Sequence, residues 1–112
     1  MLPIQNRLKK KNDFGRIFKK GRGFEDRVLS LRLAKNNLAV SRFAFVVSLK
    51  VVRKAFLRNK IRRRLREAVK ANLSKIKTGL DVVFFARPGL AVKNSKEITE
   101  FVERLLKRAE LI

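Results

Sequence analysis

The chain has 112 residues, 46% of them hydrophobic, and carries 30 Lys and Arg against 9 Asp and Glu, a formal charge of +21. That composition suits one domain, residues 1–112, with one modest core, and the cation excess exceeds what solubility needs, so a polyanionic partner is expected. The absence of Cys and His excludes disulfides, thiolate zinc sites and histidine acid–base chemistry. No apolar run approaches the roughly 18 residues of a membrane span, and the opening Met1-Leu2-Pro3-Ile4 lacks a signal-peptide core. The expected compartment is the cytoplasm, with no membrane partner.

Asp13–Lys20 reads as a first helix, with Asn12 as N-cap and Gly21 as a left-handed residue beyond its end. Phe14, Ile17 and Phe18 fall at i, i+3 and i+4 and make one apolar stripe. Two strands follow. Leu29, Leu31 and Leu33 alternate with Val28, Ser30 and Arg32 over Arg27–Ala34. Phe43, Phe45, Val47 and Leu49 alternate with Ala44, Val46 and Ser48 over Arg42–Leu49. Asn36-Asn37 supplies a turn between them.

A long helix is predicted over Arg53–Lys77. Asp81–Arg87 is a third strand, opened by Thr78-Gly79 and stopped by Pro88-Gly89, and Gly89–Val92 is a candidate fourth. The last helix covers Lys96–Glu110, capped by Asn94 or Ser95, with Glu97 placed after Asn94 as in a capping box. Ile98, Phe101, Val102, Leu105, Leu106 and Ala109 keep the helical period and mark a core face. The order α-β-β-α-β-α predicts an α+β fold, a small two-layer sandwich of helices on a sheet.

The charge is uneven. Residues 53–70 carry nine Lys or Arg against Glu67 alone, whereas four of the nine acids lie in the last sixteen residues. At about 100° per residue, Leu57, Ile61, Leu65 and Ala68 gather on one side of the long helix. Asn59, Arg62, Arg63, Arg66 and Lys70 gather on the other. Arg58/Arg62 and Arg62/Arg66 are like-charge pairs at i,i+4, which oppose helix formation. A bound polyanion compensates them, and arginine suits bidentate phosphate contacts. Asn59 reads equally as a cap or surface polar, as a base or sugar contact, or as a holder of a hydrated metal. Phe14 and Phe18 read equally as core or as a stacking platform beside Lys10, Arg16 and Lys19.

Arg58-Asn59-Lys60-Ile61-Arg62-Arg63, with Arg66 three residues on, resembles the Arg-Asn-Arg-x-Lys-Arg-x-x-Arg signature of the bacterial ribonuclease P protein subunit. Lys60 and Arg62 are charge-conserving departures from it. Arg7-Leu8-Lys9, Asp13-Phe14, Phe18-Lys19 and Gly21 resemble that family's opening helix. Two further departures are the glycine-free Lys50-Val51-Val52-Arg53 stretch and Arg32, where the family often has an aromatic.

The resemblance implies a left-handed β-α-β crossover, as in a ribosomal-protein domain and domain four of elongation factor G. It implies that Arg58, Asn59, Lys60, Arg62, Arg63, Arg66 and Lys70 contact a catalytic RNA. It also implies that a cleft with Arg7, Lys10, Phe14, Phe18 and Lys50 holds the single-stranded 5′ leader of precursor tRNA. The protein is expected as a monomer, one per RNA.

No catalytic residue is expected on the chain itself, because Asp13, Glu25, Asp26, Glu67 and Asp81 are scattered and form no paired-carboxylate motif. The chemistry falls to the RNA with Mg²⁺, held mainly by that RNA. The alternative is a ribosomal protein or RNA chaperone without a catalytic RNA. It shares the charge but needs neither Phe14/Phe18 nor the arginine–asparagine signature.

Overall fold

Leu29, Leu31 and Leu33 are buried on one face of their strand, while Ser30 and Arg32 turn to the other. The structure, a computed structural model, describes residues 2–112. In chain order it has α1 (Lys11–Lys20), β1 (Arg22–Glu25), β2 (Leu29–Lys35), β3 (Arg42–Val46), α2 (Ala55–Asn72), β4 (Leu80–Ala86) and α3 (Ser95–Arg108). The sheet order is β1-β2-β4-β3. β1 and β4 run antiparallel to β2, and β3 runs parallel to β4. Parallel neighbours need a crossover, and α2 supplies it.

β4 lies inside the sheet, and its Val82, Val83 and Phe84 are fully buried, as a strand covered on both faces requires. On one face, Ile61, Leu65, Ala68 and Val69 of α2 meet Ile98, Val102, Leu105 and Leu106 of α3 over the β2 leucines, Phe43 and Phe84. On the other, α1 buries Ile17 against Leu8, Ala34 and Val83. The α+β class stands, with helices on both faces of the sheet. α1 forms a small second layer of its own, because Ala34 and Val83 leave the strands apolar on that side too.

Several boundaries differ from expectation. β1 escapes sequence reading because it is an exposed edge strand with one partly buried residue, Phe24. Gly89–Val92 is no strand: Gly89 is left-handed (φ 103°), and Leu90–Val92 form a 3-10 turn. Lys10, not Asn12, occupies the N-cap of α1, without a side-chain bond. Gly21 is extended (φ −78°) rather than left-handed. Glycine is required there by close approach, since a Cβ would collide with the Ile17 and Leu33 carbonyl oxygens. β3 stops at Val46 because the chain turns, with Val51 N donating to Ser48 O at 3.1 Å, and Leu49 is left exposed. The capping box of α3 is present: Glu97 N donates to Asn94 Oδ1 (2.9 Å) and Asn94 N to Glu97 Oε1 (3.1 Å).

α1 is fastened to the sheet by charge as well as by Ile17. Asp81, fully buried, accepts two hydrogen bonds from Arg42 (2.8 and 2.7 Å), one from Asn36 (2.9 Å) and one from Arg16 of α1. Asp13 of α1 lies 3.4 Å from Arg42. Burial alone would raise the Asp81 pKa. The bonds from Arg42 and Asn36, with the charges of Arg42 and Arg16, outweigh it and hold the carboxyl below its usual value.

Candidate nucleic-acid interface

α2 buries Ile61, Leu65, Ala68 and Val69, and this anchoring fixes where its cations point. Asn59, Lys60, Arg63 and Lys70 are exposed; Arg62 and Arg66 are half-buried beside the apolar stripe. Among the described residues, ion pairs engage Arg16, Arg42, Arg87 and Arg104, and none engages a cation of α2. The helix charge is therefore uncompensated within the chain. Arg58 differs from its neighbours: its Nη1 donates to the carbonyls of Val52 (3.2 Å) and Arg53, bracing the turn before the helix. Asn59 Oδ1 accepts from Arg62 Nη1 at 3.1 Å, which leaves Nδ2 as the amide's donor. Lys60 lies round the helix from Arg62, at about 100° per residue.

A groove runs along the free edge of β3. Leu2, Arg7, Leu8 and Lys9 of the N-terminal segment, Phe14 of α1, and Arg62 and Arg66 of α2 enclose it together with residues 43–46. Leu8 N donates to Phe43 O at 2.9 Å and Arg7 bridges to Phe43, so the N-terminal segment continues the sheet for one residue and then leaves the edge open. Arg7 itself is tied to Leu2 O (2.9 Å). Four cations and no acid line the groove, with Phe14 half-buried in its wall.

Phe18 does not line that groove. It lies one helical turn further along α1, 53% exposed, its ring centroid 5.8 Å from that of Phe85, in a second depression with Phe24, Ser30 and Arg32. Arg32 Nη2 donates to Phe18 O (3.2 Å) and Gly21 O (3.0 Å), so this cation closes the last turn of α1. Sequence reading placed Arg32 in the strand alternation and as a missing aromatic, and did not foresee this role. Lys10 is exposed at the start of α1. Lys50 lies apart from both depressions, in the turn before α2 with Leu49, Val51, Val52 and Arg53. The structure thus brings Arg7, Phe14, Arg62 and Arg66 together, and leaves Phe18 and Lys50 elsewhere.

Among the described residues, no three Asp or Glu side chains gather where they could hold a metal ion. The donor set fits poorly with a protein-bound Mg²⁺, since Asn59 and Glu67, two turns apart, are the only side-chain oxygen donors among the nine cations of residues 53–70.

Crowding of like charges on α2 should couple anion binding to folding. An anion that binds the native row at about 100 times its Kd stabilises by about 2.7 kcal/mol, against a net stability of about 5–15 kcal/mol for a small domain. The isolated protein should be partly unfolded in dilute, weakly binding buffer. Millimolar sulfate or pyrophosphate should fold it more effectively than chloride at matched ionic strength, as followed by circular dichroism. Equal effects of the two anions would show that only screening is at work.

Fold and surface together define a small α+β polyanion-binding protein whose arginine-rich helix borders an aromatic, cationic groove. The family model described as Ribonuclease P matches residues 2–110, and the chain belongs to that family. It is 40% identical to the ribonuclease P protein component of Pelotomaculum thermopropionicum, with 93% of this chain and 92% of that one covered. It is similar in structure to the RNase P protein of Staphylococcus aureus (TM-score 0.88, 34% identity, 95% of this chain and 96% of that one). The RNase P protein of Thermotoga maritima is also similar (TM-score 0.83, 33% identity, 91% and 96%). A mutant of the S. aureus protein, described as defective in mRNA degradation activity, has a TM-score of 0.90 at 33% identity, covering 96% of this chain and 91% of that one.

Proposed function

We propose that this chain, as the protein subunit of ribonuclease P, binds the catalytic RNA through the α2 ridge and the 5′ leader of precursor tRNA through the surfaces beside α1. The observation that carries this reading is the uncompensated row Asn59, Arg62, Arg63, Arg66 and Lys70 bordering a groove that also holds Phe14. Cations meet backbone phosphates, while the open sheet edge and Phe14 offer a surface for unpaired nucleotides. Endonucleolytic removal of the leader, which makes the mature tRNA 5′ end, belongs to the RNA and its Mg²⁺. This chain's residues lower repulsion between the RNAs and hold the leader in place. The assembly works in the cytoplasm with one protein monomer per RNA. Among the described residues no helix is long and apolar enough to cross a membrane. A ribosomal or chaperone role without a catalytic RNA is disfavoured by the family membership.

Purified protein should leave precursor tRNA uncut at the 5′ junction, and adding it to a bacterial ribonuclease P RNA should lower the Mg²⁺ concentration needed for half-maximal cleavage. Rigorously RNA-free protein that cuts at the mature 5′ end would overturn this division of labour. Because mRNA degradation is attached to the S. aureus relative, the same preparations are to be scored on an mRNA fragment, which separates a second activity from leader removal.

A further inference from the structure

Seven of the nine phenylalanines are wholly or partly buried. Phe18 is exposed but has Phe85 beside it. Phe56 is 65% exposed, the most of any phenylalanine, and its noted ring contact is Lys54 Nζ, 6.0 Å from the centroid. It lies on α2 with Asn59 at i+3, Lys60 at i+4 and Arg63 at i+7, all exposed, so it stands at the head of the helix's solvent ridge. No Asp or Glu occurs between Asp26 and Glu67 in sequence. Packing does not explain the ring, since the buried side of α2 is built by Ile61, Leu65, Ala68 and Val69.

We infer that Phe56 is a stacking contact for an unpaired RNA base at the end of the α2 ridge, separate from the groove at β3 and from the depression at Phe18. Resting on the proposed RNA contact of α2, it adds a nucleotide-recognising element to what is otherwise a phosphate-binding row. The surrounding charge selects the occupant. A second copy of a chain carrying +21 is repelled, whereas a base brings a π face to the ring and its own phosphates to Lys54, Lys60 and Arg63. Stacking is sequence-tolerant, so Phe56 favours an unpaired position over a paired one without choosing among bases.

The full chain and a bacterial ribonuclease P RNA provide the test. F56A should weaken binding by about 5- to 150-fold, the range for loss of one stacked base, and leave the salt dependence unchanged because no phosphate contact is lost. F56L, apolar but without a π face, should behave as F56A, and F56W should bind as wild type. The chain has no other Trp, so F56W also reports directly: stacking should quench its emission on RNA saturation. Exposure of the ring predicts unchanged thermal melts for all three variants. F56A with wild-type RNA affinity, as for a ring that serves a protein partner, overturns the inference. So do full rescue by F56L and unquenched F56W emission in the saturated complex. Wild-type protein that fails to bind the RNA overturns the reading of the whole ridge as well; binding with an inert Phe56 overturns this inference alone.

Discussion

Replacing Arg62 and Arg66 together with Glu should weaken binding to a ribonuclease P RNA by a hundredfold or more at about 0.1 M salt. Hydrogen bonds from a charged donor contribute about 1.5–3 kcal/mol each, and reversal adds repulsion to the loss of two of them. If the wild-type protein neutralises about six phosphates, its log–log salt slope lies near −4 to −5, and the double variant should be flatter by about 1.5–2. The fold should persist. Neither side chain forms an ion pair, and the one noted partner, Asn59 Oδ1 for Arg62, is itself exposed. K96E/K107E, at exposed positions of α3, changes the net charge by the same four units and should shift affinity only slightly. Equal affinity and slope in R62E/R66E and wild type would remove α2 from the interface.

The second large effect is expected at Asp81. D81N keeps the shape but leaves Arg42 and Arg16 facing a neutral amide. Breaking a buried pair costs about 3–5 kcal/mol, and the low end applies because the Arg42 and Arg16 side chains retain 19% and 29% exposure. The melting temperature should fall by roughly 10–15 °C, which circular dichroism measures. The sign of the pH dependence follows from the depressed carboxyl. Its stabilisation is fully present above the unfolded-state value of about 4 and is lost as the pH falls through the lower folded-state value. The gap between wild type and D81N should therefore be flat from neutral pH to about 4 and close below it. A gap that stayed constant into strong acid would show that the carboxylate charge is not what stabilises.

Asp81 also marks a limit of sequence reading. In the sequence it opens an apolar run and looks like one of several scattered acids. Its role depends on Arg42 standing opposite in the parallel register of β3 and β4, and on Arg16 reaching across from α1. None of that is local. By contrast, the capping box at Asn94 and Glu97, the β2 leucines and the buried stripe of α2 are short-range patterns, and they were legible. β1 was not, because an edge strand with one partly buried residue has no alternation to detect. The candidate interface divides in the same way. The helical period identified the α2 ridge, but only the folded chain shows Arg58 turned back to the Val52 and Arg53 carbonyls. It also shows Phe14 and Phe18, one turn apart on α1, opening into different depressions. Phe56, two residues before the signature, carried no periodic signal because it is not buried.

The sheet order β1-β2-β4-β3 has a consequence for how the chain is made. β2 and β3 are consecutive along the chain, yet each takes β4 as its neighbour, so the place between them stays vacant until residues 80–86 have been synthesised. From the end of β3 at residue 46 to the start of β4 at residue 80 is 34 residues, or about 2–7 seconds at 5–20 residues per second. The arginine-rich segment is completed within that interval, at residue 70, and 16 more residues are needed before β4 ends and the sheet under its apolar side can close. The densest positive charge of the chain is therefore synthesised before the core that will anchor it is complete.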